Sequence, residues 1–351
     1  MCMKHLLIDL YKTRDLYSGL GQFSLNFVRA LRAAAPADLH VTLLVPPGFP
    51  PAEAGPFDVL QASWQHRYVP AWTRRFDGWH SLHQFPSHRP SGKSRAMLTV
   101  HDLHFLLEKT PAKAAKYLAR LQRNVDRAAV ITAISEYTKG LMEEHLHLRG
   151  KPVHTIHNGV ELTDYPEATR PSFVDDRNYF LALGVFKPMK NFHTLVPMMQ
   201  HFPDHRLILA GNHATDYGAQ VRREVEALGL SDRVVLPGTV SDSEKYWLYT
   251  HGEALLFPSL AEGFGLPAIE AMKAGLPVFL SRATSLPEIG GDVAFYFEAW
   301  EPEAMAALIR EKLSSVRHDR AAYAQRLRAR ADRFGWEACL HQYLDLYRTE
   351  L

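Results

Sequence analysis

Short apolar runs alternate with longer stretches whose apolar residues recur at helical spacing, and the alternation occurs twice along the chain. In the first half, His5–Leu10, Val41–Val45, Ala96–Val100, Ala129–Ile134 and Val153–Ile156 have strand length. Strands buried on both faces of a parallel sheet read this way, as near-continuous apolar segments. Phe23, Phe27, Val28 and Leu31 mark one face of a helix, and residues 112–127 read as another. A polar stretch over 163–176, with Pro166 and Pro171, interrupts the pattern and predicts a linker. Strands then resume near 178–183, 206–210, 234–236, 254–257, 278–280 and 294–297. Helices are predicted through Phe192, Leu195 and Met199, up to Leu228, over 266–273, as a charged pair over 302–333, and from Gly335 to Tyr347. The fold class predicted is α/β, with two doubly wound domains at 1–165 and 176–334. No repeat of solenoid period is present.

Composition narrows the class. An apolar share of 46% over 351 residues is enough for two cores. A formal charge of +2, with both signs mixed throughout, argues against a nucleic-acid partner. The first apolar run is too short for a signal peptide, and no stretch has the length of a membrane span. The two cysteines, Cys2 and Cys339, have no metal-ligand spacing, and a reducing, cytoplasmic compartment is expected. The 19 histidines include no H-E-x-x-H frame, so no metal site is predicted.

Candidate chemistry gathers in 254–272. The apolar run Ala254–Phe257 is followed by Glu262-Gly263-Phe264-Gly265-Leu266 and a helical pattern through Ile269 and Met272. A glycine loop that leaves a strand and opens a helix lies where open α/β sheets bind ligands. The unpartnered N–H groups and the dipole of the helix start suit an anion such as a diphosphate. Glu262 and Glu270 do not help hold a phosphate and are read as acceptors for neutral hydroxyls. Gly19-Leu20-Gly21, after the first strand, repeats the strand–loop–helix theme. So does Gly184 followed by Lys187 and Lys190, where an ammonium group offers charge to a phosphate as its bond breaks. Ser135 reads as a helix cap, and Asn158-Gly159 as a turn.

The string E-G-F-G-L-P-A-I-E-A-M at 262–272, with Gly275-Leu276-Pro277-Val278 after it, resembles the signature of retaining glycosyltransferases of the GT-B fold, family 4. The resemblance implies two Rossmann-like domains facing a central cleft, with the helix near 335–351 packed back on the first. It also implies that Glu270 holds ribose hydroxyls, and that Glu262 with the amides of Gly263, Phe264, Gly265 and Leu266 holds the donor sugar and phosphates. Gly19 and Gly21 would face the diphosphate, and Gly238 to Val240 would face the base. The T-V-H-D-L string at 99–103 is similar to one in a subset that builds bacterial surface polysaccharides. It implies that His101 meets the donor sugar near the reacting carbon, with Asp102 and Ser135 on the acceptor side. One departure stands: where the family usually carries an arginine, this chain has Val185 and Met189. Either Lys187 replaces that charge or Lys190 acts alone.

The expected reaction is retaining transfer of a hexose from GDP-mannose or a UDP-sugar to a saccharide or lipid-linked saccharide, with no cofactor and no metal. Two rivals share the fold: an epimerase or hydrolase acting on nucleotide-sugars, and a silent partner subunit, which would lack Glu262, Glu270 or Lys190. A dinucleotide-binding dehydrogenase fits less well, because S-G-L-G-Q-F is not the full G-x-G-x-x-G. Residues 64–95 set Arg67, Arg74, Arg75, Arg89, Lys93 and Arg95 against the single acid Asp77, with Trp64, Tyr68, Trp72, Trp79 and four histidines interleaved. This segment is either an irregular surface with some rings turned inward or an acceptor or membrane patch. In the second reading Arg74 and Arg75 are acceptor candidates, and each basic residue near anionic lipid adds ~1 kcal/mol. The enzyme would then sit peripherally on the inner face of the plasma membrane.

Overall fold

The computed structural model describes residues 3–16, 19–69, 72, 75–90 and 93–351. Its contacts divide the chain into one unit of 1–159 with 335–351 and another of 160–334.

The first unit is built on a parallel sheet of strands β1 (Lys4–Asp9), β2 (Leu39–Val45), β3 (Asp58–Gln61), β4 (Gly78–Ser81), β5 (Arg95–Val100), β6 (Val130–Ala133) and β7 (Val153–Thr155). Their order is β3-β2-β1-β4-β5-β6-β7. The order reverses between β1 and β4, which makes that crevice the place for a ligand. The strand β4 falls inside the basic, aromatic segment 64–95, where no strand was expected, and it turns some of that segment's rings inward. Trp64 and Tyr68 are exposed, but Trp79 and His80 lie on β4 and are fully buried. His80 is tolerated there because Tyr347 Oη and Thr99 Oγ1 stand 2.5 and 2.8 Å from its ring nitrogens. The helix Trp336–Glu350 brings Leu340, Tyr343 and Tyr347 into the core beside Phe27 and Ile8. Gly159 lets the Trp336 ring lie on the backbone, since a Cβ there would meet it at 2.2 Å.

The second unit repeats the plan with β8 (Asn178–Leu183), β9 (His205–Ala210), β10 (Val234–Gly238), β11 (Ala254–Phe257), β12 (Val278–Ser281) and β13 (Phe295–Phe297). The order is β10-β9-β8-β11-β12-β13, all parallel, with reversal between β8 and β11. Helices Asp216–Ala227 and Pro302–Arg317 cover its apolar strands. One expected helix is broken. Residues 188–201 form three short 3-10 turns and a single α-turn at Leu195–Met198, because Pro188 and Pro197 remove donors and Asn191 adopts a left-handed φ of 56°. Among the described residues, no helix is long and apolar enough to cross a membrane, and no group of His, Cys, Asp or Glu side chains could hold a metal ion.

Candidate active site

In the second unit, the loops that follow β8 and β11 meet at the reversal of strand order. Leu260 N–H donates to the Met189 carbonyl at 2.7 Å, which ties the two loops together. Lys190 Nζ lies 2.5 Å from Glu262 Oε1 and 5.0 Å from the centre of the Phe257 ring. The lysine and glutamate side chains are 15% and 12% exposed, so the pair is held largely out of water. Gly184, at φ 150°, leaves room for the lysine stem, since a Cβ there would sit 3.2 Å from Lys190 Cε.

Glu262 is fixed from behind by residues the motif does not contain. Its N–H donates to Thr284 Oγ1 at 2.9 Å, while Ser285 Oγ donates to the carbonyls of Glu262 and Phe264 at 3.1 and 2.9 Å. Thr284 pays for this placement with a left-handed φ of 55°. Gly265 is the N-cap of the helix Leu266–Ala274 and has φ 111°, where a Cβ would meet Leu286 Cδ2 at 2.8 Å. The glycine is required both by conformation and by space. The N–H of Leu266 has no acceptor inside its own helix, and Pro267 brings none that needs one.

Glu270 has its own partners. Lys245 Nζ is 3.1 Å from Oε1, and Tyr249 Oη donates to Oε2 at 2.8 Å. Burial works against the Lys245 charge, but the Glu270 carboxylate outweighs it and raises the lysine pKa. Burial, with the same carboxylate, pushes the Tyr249 hydroxyl well above its usual value. The glutamates read as acceptors for neutral hydroxyls are thus each already paired. Two carboxylate oxygens still offer about four lone-pair directions, so a diol can share them. Lys245 and Tyr249 were missed because only their i,i+4 spacing on the helix Asp242–His251, capped by Ser241, marks them.

The remaining candidates are distributed as follows. Lys187 is exposed on the loop before Lys190. Gly238 ends β10 with φ 90°, and Val240, two residues on, is half-buried. In the first unit, Gly19 opens the helix Gly19–Ala34, and a Cβ on Gly21 would stand 1.9 Å from the Asp15 carbonyl oxygen. His101 follows β5 and is 5% exposed; its Nε2 donates to the Leu82 carbonyl at 2.7 Å. Burial lowers its pKa. Asp102 Oδ1 accepts from His104 N–H at 3.0 Å and so shapes the loop. Ser135 is a buried cap, accepting from Thr138 N–H at 3.1 Å. Arg75 is exposed, its guanidinium 4.8 Å from the Phe76 ring centre. Arg74, Cys2 and Ser18 lie outside the described residues.

Two family models match side by side: Glycosyltransferase Family 4 over residues 17–164 and Glycosyl transferases group 1 over 166–330. The chain is 27% identical to the O-antigen chain mannosyltransferase B of Escherichia coli over 274 residues, 74% of this chain and 71% of that one. It is 25% identical to the O-antigen chain mannosyltransferase RfbU of Salmonella typhimurium, over 83% of this chain and 86% of that one. Anabaena Alr3699/HepE in complex with UDP-glucose shares the fold with a TM-score of 0.74 at 17% identity, over 98% of this chain and 99% of that one. Taken with the two parallel sheets and the loop motif of the second, these matches show that the chain belongs to the glycosyltransferases of family 4, built on the GT-B fold.

Proposed function

We propose that the protein transfers a mannose-type hexose, with retention at the anomeric carbon, from a nucleotide-sugar held by the second domain to a saccharide acceptor taken by the first. The observation that carries this reading is Lys190 beside Glu262 at the strand-order reversal, next to the helix start at Leu266. Negative charge grows on the departing diphosphate, and an ammonium group with oriented N–H groups suits that charge. One such preorganised contact is typically worth roughly 3 kcal/mol. With those groups supplying positive charge, the reaction is expected to need no metal ion. The acceptor oxygen bonds the anomeric carbon on the face from which the phosphate oxygen departs, and the acceptor proton passes to that phosphate. Glu270, held by Lys245 and Tyr249, is read as the ribose acceptor. The relatives named O-antigen chain mannosyltransferases support mannose and, with it, GDP-mannose, for synthesis of a bacterial surface polysaccharide. The fold neighbour bound to UDP-glucose supports a nucleotide-sugar as the donor class.

The test is a thermal-shift screen of UDP-, GDP-, ADP- and dTDP-sugars, followed by transfer with the best donor and NMR of the product's anomeric carbon. A donor at a hundred times its Kd adds about 2.7 kcal/mol. GDP-mannose is expected to shift the midpoint most and to give an α-linked product, in the presence of EDTA as in its absence. If no nucleotide-sugar moves the midpoint, the reading is wrong.

A further inference from the structure

The two groups that hold Glu270 differ in what they have left over. Tyr249 is fully buried, and its hydroxyl proton goes to Glu270 Oε2 at 2.8 Å. The Lys245 ammonium carries three protons. One is taken by Glu270 Oε1 at 3.1 Å, and the exposed carboxylate of Asp242, 3.5 Å away, draws a second. Among the described residues, the third has no acceptor. The lysine side chain is 28% exposed and the glutamate 16%, so both stay within reach of a ligand while water screens them little.

Lys245 also stands where local rules disfavour it. It is the fourth residue of the helix Asp242–His251, and the dipole at a helix start opposes a cation. Asp242 and Glu244 suit that end, and the lysine does not. An ion pair of the surface kind, such as Arg282 with Glu298, would offset little of this. Lys245 and Glu270 instead pair between two helices, each about one turn into the helix that follows β10 or β11. The carboxylate has about four lone-pair directions, of which Lys245 and Tyr249 occupy two. The pair therefore offers two acceptor directions and one donor side by side. A vicinal diol matches that set. Each hydroxyl donates to the carboxylate, and one of the two oxygens accepts from the ammonium.

We propose that Lys245 is a specificity residue which, with Glu270, reads both hydroxyls of the donor's ribose, so that the site refuses 2′-deoxyribonucleotide sugars, dTDP-sugars among them. The inference rests on the reading that Glu270 takes the ribose, and it adds a second reader and the class of nucleotide turned away. A 2′-deoxyribose fits the same space but leaves one carboxylate direction and the ammonium proton desolvated and unmatched. Losing such a partner costs more than making the bond gains, above all for charged groups. A site built to bond a substrate hydroxyl therefore rejects the analogue that lacks it. Tyr249 is a positioning residue: it fixes the carboxylate and has no proton left for the sugar.

Calorimetric titration of the full chain with GDP against 2′-deoxy-GDP, and with UDP against 2′-deoxy-UDP, tests it without sugar or acceptor. For whichever base binds, the wild type is expected to hold the ribonucleotide about 10- to 100-fold tighter, the scale of a hydrogen bond to a charged group. In Lys245→Met that ratio is expected to shrink about tenfold, because the ribonucleotide loses affinity and the deoxyribonucleotide keeps most of its own. In Tyr249→Phe both are expected to weaken by the same factor, so the ratio holds. Thermal midpoints without nucleotide show which variants fold. Lys245→Arg keeps the ion pair and carries the test should Lys245→Met unfold; its longer, planar group moves the donors away from the ammonium's position, and the ratio is again expected to fall. Equal affinities in the wild type overturn the proposal and leave the donor reading standing. If Lys245→Met lowers both affinities together and keeps the wild-type ratio, the lysine only supports Glu270, and the proposal fails. If no nucleoside diphosphate binds at all, the donor reading falls and this one with it.

Discussion

At the scale of single residues, Lys190 and Glu262 hold each other's charge where little water reaches. Removing one partner leaves the other uncompensated, which costs about 3–5 kcal/mol in a buried pair. Lys190→Met is therefore expected to lower both turnover, by a factor of 10²–10³, and the second domain's stability. The double variant Lys190→Met/Glu262→Gln should recover the stability and not the turnover. Recovery of both in steady-state kinetics and calorimetry would show that the lysine serves only the fold. Asp9 makes a pH prediction. Its carboxyl keeps a proton up to about 7 when folded, against an ordinary value of 3.8, so between those pH values the folded chain binds a proton that the unfolded chain does not. Stability from this group therefore falls as pH rises through that window. Asp9→Asn, which can still accept from Tyr11 N–H through Oδ1, should gain up to ~4 kcal/mol over wild type above the window and almost nothing below it. Denaturant midpoints measured across pH check this; a difference that does not vary with pH rejects it. The sequence displayed Lys190 and Glu262, because a cation after a strand and a glycine loop after another are local patterns. It hid Lys245, Tyr249 and Ser285, whose roles come from contacts across 25, 21 and 21 positions.

At the scale of elements, the helix Trp336–Glu350 meets the sheet in an apolar seam that holds a buried polar contact, Tyr347 Oη with His80 Nδ1, with Tyr343 Oη 3.3 Å from Thr99 Oγ1 beside it and Lys4 and Arg95 reaching the helix's last turn from outside. Tyr347→Phe keeps the ring and leaves a buried nitrogen unsatisfied, at about 1–3 kcal/mol. The first domain should then melt roughly 2–4 °C lower for each kcal/mol lost. An unchanged midpoint in scanning calorimetry would mean that this contact does not hold the helix. The same contact explains why β4 was illegible. Gly78-Trp79-His80-Ser81 looks like an exposed, mixed segment, and only hydroxyls from Thr99 and Tyr347 make a histidine acceptable in a central strand. The strands β1, β2, β5, β6, β8, β9 and β11, by contrast, each contain consecutive buried apolar residues, and their pattern was enough. The broken helix after Lys190 was also readable in principle, since Pro188 and Pro197 stand in the sequence, but the periodicity of Phe192, Leu195 and Met199 outweighed them.

At the scale of the whole molecule, each unit has its own parallel sheet and its own apolar core. Thermal unfolding is expected to show two transitions, with the nucleotide-sugar raising only the one that belongs to residues 160–334. Calorimetry with and without donor, on wild type and on Tyr347→Phe, assigns the transitions, and a single transition that shifts as one would reject the expectation. Their twofold architecture was legible because strand–loop–helix repeats on either side of a polar, proline-bearing stretch. The crossings fall at 159/160, just after the Asn158-Gly159 turn, and at 334/335, while the polar stretch over 163–176 lies inside the second unit, because low apolar content marks a surface segment and not where contacts divide.

Because residues 335–351 complete the first unit, the ribosome has to deliver the whole of 160–334 before that unit's core can close. At the end of that interval Phe27 and Ile8 in the nascent chain still have no Tyr343 or Tyr347 to lie against, while the second sheet has all of its strands. The half of the protein made first is thus the half that finishes folding last, and a chaperone guarding it would have to wait for a helix not yet translated.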